Sequence, residues 1–150
     1  MIYSTGCEYA IKSVLFIAER ARPGKYVLLK EIVARSEMPP HFLGKILQTL
    51  VRAEILVSSK GRGGGFALAR DADRITLRQI VEAIDGHERI ERCVLGFSKC
   101  DDLQPCPQHD AWMEIREQIY SLLNDTTIED LAAALDRKMK QIKRRGPFIR

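Results

Sequence analysis

Apolar positions along the chain fall into blocks of clear period, and each block predicts an element. Residues 4–21 repeat at helical spacing: Ala10, Val14, Ile17 and Ala21 form one stripe, with Ile11, Leu15 and Ala18 beside it. Thr5 and Glu8 have the spacing of a capping box at its start. Arg22-Pro23-Gly24-Lys25 ends it, because Pro and Gly both oppose helix continuation. A short helix is predicted over Lys30–Ser36 with Ile32 and Val33 inward, followed by a break at Met38-Pro39-Pro40. Pro is favoured at a first helical position, so a third helix is predicted from Pro40 to Ala53, burying Leu43, Ile46, Leu47 and Leu50.

The period then changes. Ile55–Ser59 and Phe66–Ala69 are short β-type runs around Lys60-Gly61-Arg62-Gly63-Gly64-Gly65, which reads as a hairpin. Thr76 and Gln79 form a second capping-box spacing, opening a helix with Ile80, Val81 and Ile84 inward and Asp85-Gly86 at its end. Residues 87–106 show no regular period. A long helix is predicted from Pro107 to about Asn124, with Trp112, Ile115, Ile119, Leu122 and Leu123 apolar. Thr127 and Asp130 begin a last helix with Leu131, Ala134, Leu135 and Met139 on one side; its basic end, from Arg137 onward, is expected to fray. The fold class expected is mainly α with a small β-hairpin. Three helices and a hairpin follow the order of a winged helix-turn-helix, and a long helix comes after it.

Charge divides the chain in the same places. Residues 1–80 carry 13 basic and 7 acidic side chains, residues 81–136 carry 4 and 13, and residues 137–150 carry 7 and none. The total of +4 thus hides a basic front, an acidic middle and a basic tail. A basic front suggests a polyanion partner. No apolar run approaches the ~20 residues of a membrane span. The N-terminus has no basic stretch followed by an apolar one. The expected compartment is a reducing cytoplasm, with no membrane partner. In that setting clustered cysteines mean metal or redox chemistry more often than structural disulfides.

The second helix of a helix-turn-helix reads the major groove with its first turn. Here that turn is Pro40-His41-Phe42, with Lys45 four residues after His41 on the same face and Gln48 beyond it. Lys60 and Arg62 at the hairpin tip suit phosphate or the minor groove, and the four glycines around them permit close approach. Ser4, at the start of the first helix, completes the DNA-contacting set. A nucleotide-binding glycine loop would open a helix, whereas this one opens a strand.

Four cysteines occur: Cys7, Cys93, Cys100 and Cys106. The last three are spaced x6 and x5, with His109 three residues further. Thiolates suit iron–sulfur clusters and zinc, but a structural zinc site has tighter knuckles, so the wide gaps favour a larger cluster. Three cysteines leave at least one ligand position open, for two irons or for four. His109 is either that ligand or an exposed polar residue in a first helical turn. Cys7 reads as a small buried residue. His41, His87 and His109 make no evident triad with a cysteine, so neither an enzyme nor a small-molecule substrate is expected.

In combination these residues resemble the IscR/NsrR-like winged-helix transcription regulators of bacteria. The resemblance rests on Tyr3–Ala10, on Phe42-Leu43-Gly44-Lys45-Ile46-Leu47, on Gly61–Phe66, on the three-cysteine loop and on Ile128-Glu129-Asp130-Leu131. It covers almost the whole chain. It implies a homodimer joined by the long helix, binding promoter DNA under the control of an iron–sulfur cluster held by Cys93, Cys100 and Cys106. The signal would be iron–sulfur status, iron, nitric oxide or redox stress. In some relatives the fourth ligand is a histidine matching His109. In others it is an acidic residue of the partner's first helix, matching Glu8. Gly44 and Lys45 stand where relatives often carry Glu and Gln, which leaves the operator open. The expected organisation is a DNA-binding domain over 1–86, a cluster loop over 87–107 and a dimerisation region over 108–150. A regulator of the same fold using zinc or thiol oxidation without a cluster is the alternative.

Overall fold

The first apolar stripe is buried as expected, but its helix starts on a different cap. In the computed structural model, which describes residues 2–36 and 38–145, helix α1 spans Thr5–Glu19. Ser4, not Thr5, is the N-cap, and its Oγ accepts from the Cys7 N–H at 3.1 Å. The Ser4 N–H donates to Asp85 Oδ2 at 2.6 Å and its hydroxyl donates to Asp85 Oδ1. This cap therefore ties the start of α1 to a distant carboxylate, which Thr5 does not do. Ala10, Val14 and Ile17 are buried, whereas Ala21 lies beyond the helix and is exposed.

Helix α2 (Leu29–Val33) is shorter than Lys30–Ser36, because the chain turns after Val33, whose carbonyl accepts from the Ser36 N–H. Helix α3 (Pro40–Arg52) begins with Pro at its first position and buries Leu43, Leu47 and Leu50 completely. Truncating any one of these to Ala would remove roughly 2–5 kcal/mol. Strands β1 (Leu56–Ser59) and β2 (Gly65–Leu68) pair antiparallel, Leu56 opposite Leu68 and Ser59 opposite Gly65. Val27 extends this ladder, exchanging two hydrogen bonds of 2.8 Å with Phe66.

After a 3-10 turn at Ala72–Arg74 comes α4 (Leu77–Asp85), opened by the expected capping box of Thr76 and Gln79 and closed by Gly86. A four-residue helix, α5 (Glu88–Glu91), forms where no period was visible. Helix α6 (His109–Asp125) starts two residues after Pro107, since the His109 N–H first closes a turn on the Cys106 carbonyl at 2.9 Å. Leu123 is buried on it, while Ile115 and Leu122 are about half exposed. Helix α7 (Ile128–Arg145) stays helical past Arg137, contrary to the expected fraying. The Met139 side chain and the last five residues of the basic tail lie outside the described residues.

Helix α1 is the central post. It packs against α3, α4, α7 and β2, and α4 carries α6. One apolar cluster runs from Cys7 through Leu47 and Ile80 to Leu123 and Ile128. No helix among the described residues is long and apolar enough to cross a membrane.

The wing depends on its last two glycines, and a Cβ at Gly64 would overlap the Ser59 carbonyl. Gly65 has φ +134°, and a Cβ there would overlap the Val27 carbonyl. Gly24 has φ +69° but open space around it. Gly65→Ala is expected to cost about 2–4 kcal/mol in chemical denaturation, against about 1–2 kcal/mol for Gly24→Ala. Equal costs would show that backbone conformation alone, not the Val27 contact, fixes the hairpin.

Candidate DNA interface and cysteine site

The basic face is built by α3 and the hairpin. The apolar positions of α3 are turned into the core, so Pro40, His41, Phe42, Lys45 and Gln48 are exposed. Phe42 is 59% exposed and meets His41 edge to face, centroids 6.1 Å apart. An exposed aromatic ring in that turn can meet a thymine methyl. Lys60 and Arg62 stand at the exposed hairpin tip. A shallow groove beside α3 is lined by His41, Lys45, Gln48 and Arg52, with Phe66 of β2 on its other side. Arg52 was missed in the sequence, although it lies seven residues after Lys45 on the same helical face. It donates to Thr49 Oγ1 at 2.9 Å, which aims its guanidinium along the groove rim. Ser4 differs from the other members of the set, because its hydroxyl is taken up by Asp85 and the α1 cap.

The cysteine loop leaves this domain at Gly86 and returns at α6. It holds its donors as two pairs. Cys93 Sγ and Cys106 Sγ are 3.8 Å apart. Cys100 Sγ lies 3.6 Å from His109 Nδ1, and His109 Nε2 lies 2.9 Å from Asp102 Oδ1. His109 is buried, so the exposed alternative for this residue is excluded. A carboxylate has no proton to give, so His109 Nε2 carries the hydrogen. In the neutral ring Nδ1 then turns its lone pair toward Cys100. This thiol–imidazole–carboxylate series was not visible in the spacing, because Asp102 reaches His109 only through the fold of the loop.

Burial works to raise the Cys93 thiol pKa. Backbone N–H groups of Leu95, Phe97 and Gly96, together with Cys106, outweigh burial and lower it. Three thiols in one loop are soft donors of the kind an iron–sulfur cluster takes, the backbone N–H groups favour the thiolate that ligation requires, and an imidazole lone pair is a nitrogen ligand iron also accepts, so this set fits a cluster. Among the described residues no three His, Cys, Asp or Glu side chains converge closely enough for a single ion. Glu8 is half-buried on α1, in a shallow pocket with Ile2, Tyr3, Ile11 and Lys12 and with no residue of the cysteine loop. Cys7 is fully buried, as the sequence suggested.

The loop is wired to its neighbours through backbone carbonyls. Trp112 Nε1 donates to the Arg92 carbonyl at 3.0 Å, and Arg116 donates to the Glu91 carbonyl at 3.3 Å. Arg89 reaches Asp85 at 3.7 Å, so α5 is bound to the carboxylate that holds Ser4.

A recognition helix packed beneath a glycine-tipped wing defines a winged helix-turn-helix protein. The family described as Rrf2, iron-dependent transcriptional regulator, matches residues 3–134, and the chain belongs to it. An HTH-type transcriptional-regulator relative from Aquifex aeolicus is 31% identical over 96% of this chain and 100% of its own length. The HTH-type transcriptional regulator IscR of Xenorhabdus nematophila is 30% identical over 82% of this chain and 74% of its own. Among solved structures, CymR, the global cysteine regulator of B. subtilis, superposes with TM-score 0.74 at 24% identity, covering 87% of this chain and 95% of CymR. T. potens IscR gives 0.69 at 22%, covering 93% and 90%. The chain is thus a DNA-binding transcriptional regulator and not an enzyme.

The four thiols separate by environment. Burial first, and then Asp85, push Cys7 up to about 12 from its ordinary 9.0. Its neutral form is favoured in the fold, so its contribution to stability is full below pH 9.0 and is lost as pH rises toward about 12. A disulfide reagent at pH 8 is expected to modify Cys100 and Cys106 of the native apoprotein first, the buried Cys93 more slowly, and to reach Cys7 only in denaturant. Rapid native labelling of Cys7, located by peptide mass, would contradict its burial.

Proposed function

We propose that this regulator adjusts its grip on a pseudo-palindromic promoter through an iron–sulfur cluster held by Cys93, Cys100 and Cys106, with His109 as fourth ligand. The observation that carries the reading is a buried histidine whose Nδ1 lone pair is aimed by Asp102 at a cysteine of the same loop. Ligating histidines are commonly oriented by a carboxylate on their other nitrogen. When bound, the cluster supplies iron–ligand bonds whose making and breaking respond to iron–sulfur status, nitric oxide or redox stress.

The chain's own residues carry the rest. Pro40, His41, Phe42, Lys45 and Gln48 read base edges, Lys60 and Arg62 hold backbone phosphate or the minor groove, and Ser4 fixes the α1 start beside them. Exposed Ile115 and Leu122, seven residues apart on α6, support a homodimer joined along that helix. Trp112 and Arg116 grip the carbonyls just before Cys93, so ordering of the loop bears on the helix that spaces the two recognition helices. The setting is a reducing cytoplasm.

Anaerobic purification followed by absorption spectroscopy and iron and sulfide analysis tests the cofactor. A protein that stays colourless after reconstitution, yet still binds DNA in a zinc- or thiol-dependent way, would replace this reading with the cluster-free one. His109→Ala is expected to shift the visible spectrum of the reconstituted protein. A shift with Glu8→Ala and none with His109→Ala would move the fourth ligand to the partner's α1.

Two substitutions test the interface. Lys45→Ala should weaken specific binding by roughly 1–3 kcal/mol if it meets a base. An equal weakening on random DNA would confine Lys45 to phosphate. Arg62→Ala should lower the salt slope of binding by about one for each phosphate that Arg62 neutralises, and an unchanged slope would remove Arg62 from the backbone-binding set.

A further inference from the structure

We infer that Cys93 and Cys106 form a reversible disulfide under hydroperoxide whenever the loop carries no metal, with Cys100, whose sulfur lies against His109, outside the bridged pair. The inference goes beyond the cluster reading and concerns the state that reading leaves open, the loop without its cofactor.

The geometry separates the three thiols. Cys93 Sγ and Cys106 Sγ are 3.8 Å apart. A disulfide needs about 2.05 Å, a gap that side-chain rotation and a small backbone shift can close. Between the two cysteines the chain is mostly exposed, with Val94, Leu95, Phe97 and Leu103 all at least half uncovered. None of these four belongs to the apolar cluster of the fold, so the loop can follow the sulfurs without disturbing the core. The Cys100 sulfur has a different neighbour, His109 Nδ1 at 3.6 Å. Cys7 is sealed inside α1 and takes no part.

The chemistry balances with a hydroperoxide as the oxidant. One sulfur of the pair attacks the terminal peroxide oxygen, the O–O bond breaks, and the alcohol (water, from hydrogen peroxide) leaves with a sulfenic acid formed. The second sulfur attacks the sulfenic sulfur. The S–S bond forms as the S–O bond breaks, and the hydroxyl departs as water with the second thiol's proton. Two thiols lose two protons and two electrons, and the hydroperoxide is reduced by the same two electrons.

The consequence is a loop that is protected and blocked together. The bridge spares two thiols from irreversible oxidation, and it removes two soft donors from any incoming metal until a dithiol reductant reopens it.

The test uses full-length protein freed of metal by chelation and treated with limiting hydrogen peroxide. The expected product is a monomeric chain lighter by two hydrogens. Its peptide map links the Cys93 and Cys106 peptides and leaves Cys100 open to alkylation, and dithiothreitol restores the starting mass. Cys100→Ser should keep the bridge, and Cys93→Ser and Cys106→Ser should each abolish it, with circular dichroism confirming the fold of each. A bridge that includes Cys100, a bridge between chains, or sulfinic acid without any bridge would overturn the inference. Reconstitution with iron and sulfide is run on the same preparation. Failure there counts against the cluster and leaves the bridge standing, whereas a missing bridge in protein that reconstitutes counts against the pair alone.

Discussion

A short backbone clasp holds the two halves of the chain in one body. Leu77 donates to the Thr126 carbonyl at 2.9 Å, and Ile128 donates to the Ile75 carbonyl at 2.8 Å, making an isolated antiparallel bridge of Thr76 and Thr127. Ile75 and Ile128 are both fully buried beside it. Each strand of the clasp opens a helix at once: Thr76 caps α4, and Thr127 shares hydrogen bonds with Asp130 at the start of α7. Helices α4 and α7 therefore leave one point side by side and enclose α1. The clasp adds two backbone hydrogen bonds to the packing of α7 on α1 and of α6 on α4.

That clasp also makes the cysteine loop a closed excursion. The chain leaves at the end of α4 and comes back as α6, which packs on α4. Both ends of the loop are thus fixed to one helix while its interior has few apolar contacts. A segment of this kind opens locally at lower free energy than the core does. Its sulfurs can rearrange without unfolding the DNA-binding elements. The buried carboxylate of Asp85 reinforces the division, because it ties Ser4 on one side and Arg89 of α5 on the other.

The parts legible in the sequence were those governed by a single local rule. The apolar face of α3 follows from Leu43, Leu47 and Leu50 at helical spacing, and the hairpin from its glycines. The capping box of Thr76 and Gln79 needs only a four-residue window, and it forms where that window places it. The cap of α1 was misplaced because Ser4 gains from Asp85, 81 residues away, a partner no local window contains. Helix α6 begins late because Cys106 and His109 first close a turn. The candidate ligands were found by residue type and spacing. Their pairing was not, since Asp102 and the backbone N–H groups around Cys93 act through the path of the loop.

The division of the four donors into two pairs has a mechanical side. Arg92, whose carbonyl accepts from Trp112, directly precedes Cys93, and Glu91, whose carbonyl accepts from Arg116, directly precedes Arg92. A change in the backbone path at Cys93 must rotate the adjoining peptide planes. Those planes carry the two carbonyls to which α6 is bonded. His109, the partner of Cys100, is itself the first residue of α6. Both pairs therefore bear on the same helix, one near its start and one through Trp112 and Arg116 along its first two turns. The Cys93 side has a second connection, through Arg89 of α5 to the Asp85 carboxylate that holds Ser4 at the start of α1.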